Sequence, residues 1–229
     1  MVLAGFPGKV TAIYRSIWRA RGMGAPEIWL ACRVTLGLVI VGKLCSLSLR
    51  AKQGEMNELR TSIRLIEPDD AEALAAYLCH DAEAFARWDP ERPPEWYTPA
   101  GQRSRVEAML MRHHNGEVWP GVVLADDVVI GQVTAQNILR GAWRKAEVGY
   151  WIAYPHQGQG HATRAVGLAV EVMTTKLGLH RAEAITQTEN LGSQRVLRSN
   201  GFLPCGVFRS RIFTAGAWRD EILWERLLD

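Results

Sequence analysis

The sequence has few of the residues that would mark a disulfide-stabilised or metal-binding protein. It contains four cysteines in 229 residues, far apart at Cys32, Cys45, Cys79 and Cys205. Neither a disulfide framework nor a CxxC pair is present, which favours a reducing cytoplasm. No cluster of histidine and cysteine has the spacing of metal ligands, so we expect no metal.

The sequence also lacks an uninterrupted hydrophobic run long enough to cross a bilayer. The most hydrophobic stretch is 28–49, but Arg33 and Lys43 leave only nine uncharged residues between them, whereas a spanning helix needs about 20 apolar residues. We therefore expect no membrane contact through 28–49. Three interpretations of residues 1–55 stay open: a membrane or signal segment, an upstream stretch ahead of a start at Met56, and an amphipathic or partner-binding extension.

Excess positive charge is absent outside this basic, partly hydrophobic N-terminal segment. The net charge is +3, of which residues 1–55 carry +6 and the remainder −3. A nucleic-acid-binding protein normally places its positive charge on the folded domain. We therefore expect no nucleic-acid partner, and we assign residues 56–229 to one domain.

Hydrophobic periodicity in that domain predicts an α/β (α+β) fold, with a mixed sheet of about seven strands and flanking helices. The unit 145–188 predicts a β-α-β crossover that brings two strands together in parallel. The other connections between consecutive strands are short, which implies antiparallel pairing. The expected strands are 62–66, 117–125, 128–138, 145–154, 181–188, 203–213 and 217–227. The expected helices are one along 71–78 and those at about 99–114, 160–177 and 190–202.

A glycine-containing turn, Gln157-Gly158-Gln159-Gly160-His161-Ala162, joins the strand at 145–154 to the long helix. Free N–H groups and the helix dipole converge at such a turn and favour a pyrophosphate. A plain β-α turn, in which glycine only relieves strain, is the alternative. A dinucleotide fingerprint would need a third glycine at Thr163, and a P-loop would need a lysine, so neither nucleotide motif is present.

The turn instead resembles the acetyl-CoA pyrophosphate loop of the GNAT N-acetyltransferases, Gln/Arg-x-x-Gly-x-Gly/Ala, through Gln157, Gly160 and Ala162. One strand later, "TENLGSQRVLRSNGF" is similar to the family's Asn-x-x-Ser/Ala…Gly-Phe segment. The matching positions there are Asn190, Ser193, Gly201 and Phe202. The resemblance covers roughly 58–228 and is closest to the RimJ/RimL-like branch, which acetylates N-terminal amines of ribosomal proteins.

The resemblance implies acetyl-CoA as co-substrate, with no metal, and a binding site for it. In the family, the strand before the loop diverges from its neighbour and the pantetheine arm pairs with the exposed strand edge. The implied contacts are Trp151, Ile152 and Ala153 at that edge, Gln157, Gly158, Gln159, Gly160, His161, Ala162 and Thr163 around the pyrophosphate, and Asn190 beside the pantetheine arm. For the histidines at 156 and 161, phosphate contact and exposed loop positions both stay open.

The resemblance also implies direct attack of a neutral amine on the thioester in a ternary complex, which requires a base, an oxyanion donor and an acid. Ser193 matches the proton donor of RimL-like enzymes, whereas the tyrosine that other members place four residues later is Leu197 here. A backbone N–H near Ile152 is the implied oxyanion donor. The glutamate of RimL-like members is replaced by Ile212, which leaves Glu147 as the candidate base. A solvent-facing serine and a structural carboxylate are the alternatives for Ser193 and Glu147.

The acceptor is expected to be a primary amine, with the N-terminal α-amine of a protein such as a ribosomal protein preferred. A small-molecule amine (a polyamine or aminoglycoside) and an acyl-CoA-binding module with little catalysis are the alternatives. We expect a cytoplasmic monomer or homodimer. The proline-rich segment 86–106 supplies candidate groove or lid aromatics and carboxylates suited to a cationic amine: Trp88, Trp96, Tyr97, Asp89, Glu91 and Glu95.

Overall fold

The computed structural model describes residues 60–228, so the interpretations of residues 1–55 lie outside the described residues. The strands are β1 (Thr61–Leu65), β2 (Trp119–Ala125), β3 (Val128–Leu139), β4 (Lys145–Ile152), β5 (Arg181–Gln187), β6 (Leu203–Thr214) and β7 (Ala217–Leu227). The helices are α1 (Ala71–His80), α2 (Ala82–Ala86), α3 (Pro99–His114), α4 (His161–Thr175) and α5 (Leu191–Ser199). Short 3-10 helices lie at Pro68–Asp70, Pro94–Tyr97 and Tyr154–His156.

The seven strands form one mixed sheet in the order β1-β2-β3-β4-β5-β7-β6. The pair β4–β5 is parallel and every other neighbouring pair is antiparallel. This confirms the predicted mixed sheet and the parallel crossover through α4. Strand β7 lies between β5 and β6, so the last two strands form a hairpin whose second strand joins the rest of the sheet.

Local sequence explains most of the boundaries between these elements. Asp126 and Asp127 have φ values of 46° and 69°, which gives the tight turn expected between β2 and β3 because left-handed residues match the twist of a two-residue hairpin. Gly178, with φ of 61°, follows the end of α4 as a helix-terminating glycine. The short helix α2 was not predicted. Asp81 separates α2 from α1. Its carboxylate accepts hydrogen bonds from the Tyr154 N–H and the His80 ring.

Hydrophobic residues on the two faces of the sheet build two core clusters. Adjacent residues of β2 show the alternation, because Val122 belongs to the cluster against α1 and α3 while Val123 belongs to the cluster against α4 and α5. In β4, Ile152 faces the α4–α5 side and Trp151 the α1–α3 side. Neighbouring side chains of one strand therefore pack against the helices on opposite faces of the sheet. No helix within residues 60–228 is long and apolar enough to span a bilayer.

Replacing Phe202 tests the core under α5. Its side chain is 1% exposed, so Phe202→Ala is expected to lower the free energy of unfolding by about 3–5 kcal/mol through lost burial and a residual cavity. Phe213→Ala is the matched control, because that ring is 53% exposed and its removal should cost less than about 1 kcal/mol. Urea denaturation of the two variants measures the difference, and equal losses would contradict the assigned core.

Candidate active site

A gap opens in the sheet where β4 and β5 stop pairing. Their parallel register runs only from Lys145 opposite Arg181 to Glu147 opposite Glu183. Beyond these residues β5 continues to pair with β7 as far as Gln187, and β4 continues to pair with β3. The second half of β4 therefore has no strand on its β5 side.

The backbone N–H and C=O of Ile152 face this gap. The N–H of the next residue, Ala153, donates to Ile130 O of β3 at 2.8 Å, and neighbouring residues of a strand direct their own N–H and C=O groups to opposite sides. The Ile152 carbonyl accepts a hydrogen bond from the Gln157 side chain at 2.8 Å. Its N–H points into the gap, where the implied oxyanion donor is needed.

The glycine turn holds several unpaired amides at the start of α4. Gly158 and Gly160 have φ values of 72° and 90°, a left-handed conformation that glycine adopts without a steric penalty. The first helical hydrogen bond runs from Arg164 N to Gly160 O. Among the described residues, no acceptor takes the N–H groups of residues 158–163. Together with the helix dipole, these donors make an anion-binding cradle.

The gap and the cradle line one cavity of about 620 Å³, a size typical of a small-molecule site. The structure brings most of the predicted site residues to its walls: Trp151, Ile152, Gln157, Gly158, Gly160, His161, Ala162, Thr163, Asn190 and Ser193. Ala153, Gln159 and Glu147 are not among the lining residues. The Glu147 carboxylate instead accepts a hydrogen bond from Asn137 at 3.1 Å.

Neither loop histidine is an exposed loop residue, and both line the cavity. The His161 ring is buried and shares a hydrogen bond with Thr61 Oγ1 at 2.9 Å, so it braces the cradle against β1. Burial and the neighbouring His156 lower the pKa of His161, which favours its neutral form. His156 is half-buried and packs edge-to-face against Tyr77 and His161. The cradle's contribution from position 161 is therefore its backbone N–H.

Asn190 and Ser193 are held by the start of α5. Asn190 is the N-cap residue, and its side-chain oxygen accepts from Ser193 N at 3.0 Å, as the capping preference of asparagine predicts. Asn190 lines the cavity, and no acceptor among the described residues takes its amide NH₂. The Ser193 hydroxyl is 2.8 Å from the Tyr150 hydroxyl, so it is neither isolated nor simply solvent-facing.

Tyr150 is a site residue that sequence reasoning missed. It lies on the part of β4 without a β5 neighbour, lines the cavity, and contacts both the hydroxyl and the backbone carbonyl of Ser193, the latter at 3.2 Å. Burial raises the pKa of Tyr150 to about 12, and the hydrogen bond with Ser193 opposes this only in part. The phenol is therefore protonated at neutral pH. The available signal in the sequence was alternation along β4, which places Tyr150 on the same face as Val148 and Ile152.

Two carboxylates, Asp89 and Glu221, line the cavity together with Trp88 and Ile212. Burial raises the pKa of Asp89, and the charges of Arg92 and Arg105 offset part of that rise. Burial also raises the pKa of Glu221, with a partial offset from a different arginine. This end of the cavity therefore has the chemistry to receive a cationic amine. Among the described residues, no group of histidine, cysteine and carboxylate side chains is arranged to hold a metal ion.

The other aromatic and acidic residues of the proline-rich segment lie elsewhere. Trp96 is stacked between Arg92 and Arg105, whose guanidinium carbons lie 4.4 and 4.7 Å from its ring centroid. Burial and the charge of Arg92 lower the pKa of Arg105 to about 10. Trp96, Tyr97, Glu91 and Glu95 are not cavity-lining. Only Trp88 and Asp89 of the expected acceptor set reach the site.

A sequence model of the acetyltransferase (GNAT) domain family matches residues 60–203, a range that contains the gap, the cradle and Ser193. The chain belongs to the GNAT acetyltransferase family. It is 36% identical over 161 residues to the probable N-acetyltransferase YjcK of Bacillus subtilis (strain 168), covering 69% of this chain and 89% of YjcK. The GNAT fold and the enzymatic class expected from the sequence are confirmed, and the chain is an acetyl-CoA-dependent N-acetyltransferase.

Solved GNAT structures support the same branch of the family. Ribosomal-protein-S5-alanine acetyltransferase from Vibrio fischeri has a TM-score of 0.71 and 30% identity, covering 74% of this chain and 93% of that one. Mycobacterium smegmatis RimJ, solved in complex with CoA-disulfide, has a TM-score of 0.70 and 29% identity, covering 73% of this chain and 81% of that one. The RimJ/RimL-like resemblance is thereby confirmed.

Acetyl-CoA fits the residues present. The unpaired amides of residues 158–163 are the donors that a pyrophosphate requires. A pantetheine arm that extends from the cradle along the unpaired part of β4 would meet the Ile152 N–H and Asn190. Arg195 lines the same cavity and adds a positive charge for a phosphorylated ligand.

Gly160→Trp tests the cradle. A Cβ at this position meets no atom within 4 Å, so a larger side chain begins in open space, while φ of 90° strains any L-residue. We expect binding of CoA, measured by isothermal titration calorimetry, to be abolished while circular dichroism shows a folded chain. Gly116→Trp is the matched control, since Gly116 has φ of 76°, equally open surroundings, and a position outside the cavity lining. The control should bind CoA normally, and an unchanged Kd in Gly160→Trp would remove the cradle from the CoA site.

Proposed function

We propose that this N-acetyltransferase acetylates the N-terminal α-amine of a protein, with a ribosomal protein as the preferred acceptor. The observation that carries the proposal is the similarity, at 30% identity over 74% of the chain, to an enzyme named for the alanine of ribosomal protein S5. Such an acceptor would meet the enzyme in the cytoplasm. The two carboxylates at the acceptor end of the cavity suit the cationic form of any amine and do not select one class of acceptor. The surface around that end therefore distinguishes a peptide acceptor from a small amine.

The surface beside the acceptor end supports an extended acceptor. Glu221 and Ile212 belong to the β6–β7 hairpin, at whose tip Phe213 and Trp218 stack edge-to-face with centroids 5.6 Å apart and are mostly exposed. A second, polar cavity of about 210 Å³ is lined by Trp218 and shares Gln187 with the main cavity. A peptide that places its amine in the main cavity has adjoining surface for the residues that follow, whereas a small amine would leave this surface unused.

In the proposed mechanism, Ser193 and Tyr150 return a proton to the leaving sulfur. Acetyl-CoA supplies an activated acetyl group as a thioester. When the Tyr150 hydroxyl donates to Ser193 Oγ, across the 2.8 Å contact, the Ser193 proton is free to face the cavity. Before the reaction, the raised pKa of Tyr150 keeps its hydroxyl protonated at neutral pH. When Ser193 gives its proton to the sulfur, Tyr150 passes its own proton to Ser193. The two hydroxyls act as one relay.

The Ile152 N–H is the proposed donor to the developing oxyanion. It points into the gap from a strand whose opposite edge is fixed to β3, so it needs no rearrangement to meet a negative oxygen. The Gln157 side chain holds the Ile152 carbonyl and thereby fixes the orientation of the strand end that carries this donor. A rigid donor of this kind stabilises the transition state more than the ground state.

An acceptor comparison tests the proposed substrate. The full-length chain is incubated with acetyl-CoA and a peptide whose first residue is alanine, the same peptide with a blocked α-amine and one internal lysine, or spermidine. We expect release of CoA thiol and a mass increase of one acetyl group with the free peptide only. Turnover of spermidine without turnover of the peptide would replace the proposal by a small-amine acetyltransferase. CoA binding without release of CoA thiol in any arm would overturn the proposed acceptor.

Removing the relay tests the proposed acid. Ser193→Ala and Tyr150→Phe are each expected to lower kcat by about 10²–10⁴-fold, the range of a general acid, while the Kd for acetyl-CoA changes far less. Because the hydroxyls act as a unit, the double variant should lose little more than the worse single variant. Tyr154→Phe is the matched control, as Tyr154 is 63% exposed and outside the cavity lining. An unaltered kcat in Ser193→Ala would exclude Ser193 from the mechanism.

A further inference from the structure

Glu221 is a cavity-lining carboxylate that the proposed mechanism has not used. It lies on β7, between Gln187 of β5 and Phe208 of β6 in the register of the sheet. The same cavity is lined by Tyr150 and Ser193. Glu221 thus lines the same cavity as Ser193 and Tyr150, but it belongs to the β5–β7 pair on the other side of the gap.

The surroundings of Glu221 leave it available for a ligand. Its side chain is 12% exposed, and its one described ion pair is with Arg211 Nε at 3.5 Å from Oε2. No hydrogen bond among the described residues ends on its carboxylate oxygens. A buried carboxylate needs hydrogen-bond donors, and an ammonium group entering the cavity supplies them.

Each of the other candidate carboxylates has surroundings that suit a base less well than those of Glu221. Asp89 also lines the cavity and burial raises its pKa, but the charges of two arginines, Arg92 and Arg105, offset that rise, whereas Arg211 alone offsets it at Glu221. Glu189 is shared between Arg87 at 3.0 Å and Arg219 at 3.7 Å. The Glu147 carboxylate bonds to Asn137 outside the cavity lining.

We propose that Glu221 is the general base that removes a proton from the acceptor ammonium, with Arg211 as the residue that adjusts its basicity. The proposal rests on the proposed function only in requiring that an amine be acetylated, and it is independent of which amine.

The proton balance is complete with these residues. Glu221 accepts one proton from the ammonium, and the nitrogen lone pair forms the C–N bond at the acetyl carbonyl carbon. The C–S bond breaks, and the sulfur takes a proton through Ser193. The second proton that leaves the nitrogen restores the Ser193–Tyr150 relay. The products are an amide, the CoA thiol and one proton, which Glu221 releases to solvent.

The charges around Glu221 set the direction of its pH dependence. Arg211 from β6 lowers its pKa, against the larger rise caused by burial. Asp89 faces the cavity from the segment after α2, Tyr150 faces it from β4, and β5 presents the neutral Gln187. The base is active when deprotonated, so kcat/KM should rise with pH through a pKa above the ordinary value of glutamate. Removing Arg211 should move that limb to higher pH.

Glu221→Gln is the first test. It is expected to lower kcat by about 10²–10⁴-fold with the Kd for acetyl-CoA unchanged, and to abolish the acidic limb of the pH profile. Glu221→Asp should recover part of the activity, because it restores the carboxylate in a shorter side chain. Glu225→Gln is the matched control, a glutamate on the same strand that pairs with Arg181 and does not line the cavity. A Glu221→Gln enzyme with wild-type kcat would overturn the proposal.

Arg211→Gln separates a base from a structural carboxylate. If Arg211 adjusts Glu221, the acidic limb of kcat/KM moves to higher pH in this variant, whereas a structural role predicts a loss of stability without a shift. The acceptors are the alanine peptide and spermidine, so a failure of the peptide alone overturns the proposed acceptor and leaves the base assignment standing on spermidine.

A measurement without turnover completes the test. In full-length protein labelled with ¹³C at glutamate side-chain carboxyls, the resonance lost in Glu221→Gln should titrate above the ordinary range of glutamate, and higher still in Arg211→Gln. The proposal would be overturned if the Glu221 resonance had an ordinary pKa that did not change in Arg211→Gln. This outcome would count even if neither acceptor were acetylated.

Discussion

The site depends on one feature of the sheet: β5 stays paired with β7 along its length but separates from β4. It pairs with β7 along its whole length, from Arg181 to Gln187, while its pairing with β4 ends at Glu183. The rest of β4 is then a strand with one side unpaired inside the protein. Buried peptide groups need hydrogen-bond partners, so this geometry favours a ligand that can extend along the strand. The cavity is a consequence of strand pairing rather than of missing side chains.

The same divergence explains why the anion cradle lies where it does. Once β4 leaves β5, the chain must turn into α4 at the mouth of the gap. The left-handed glycines at 158 and 160 make that turn without using the amides of the helix start. The His161 ring, bonded to Thr61 of the far edge strand β1, and the Gln157 side chain, bonded to Ile152 O, hold the two ends of the turn. The cradle is therefore built by the fold before any phosphate binds.

Local signals were sufficient for the strands, the longer helices and the glycine turn of the cradle. The Asp126-Asp127 turn, the apolar stripe of α4 and the glycines of the loop act over a few residues, so the sequence reveals them directly. Tyr150 and Glu221 were missed because their importance arises from contacts between elements. Tyr150 matters through Ser193, 43 residues away, and Glu221 matters because β7 inserts between β5 and β6. Glu147 was favoured by its strand and face, yet Asn137 occupies its carboxylate.

Acid and base chemistry at neutral pH requires groups whose environments differ, and the gap provides this separation. Tyr150 belongs to β4 and is tied across the gap to Ser193 at the start of α5, and its burial keeps the phenol protonated. Glu221 belongs to the β5–β7 pair and has a single arginine beside it. Because the two diverging parts of the sheet carry the two functions, the acyl group and the amine meet between them. Divergence of β4 from β5 thus provides the binding edge for one substrate and keeps the proton donor apart from the proton acceptor.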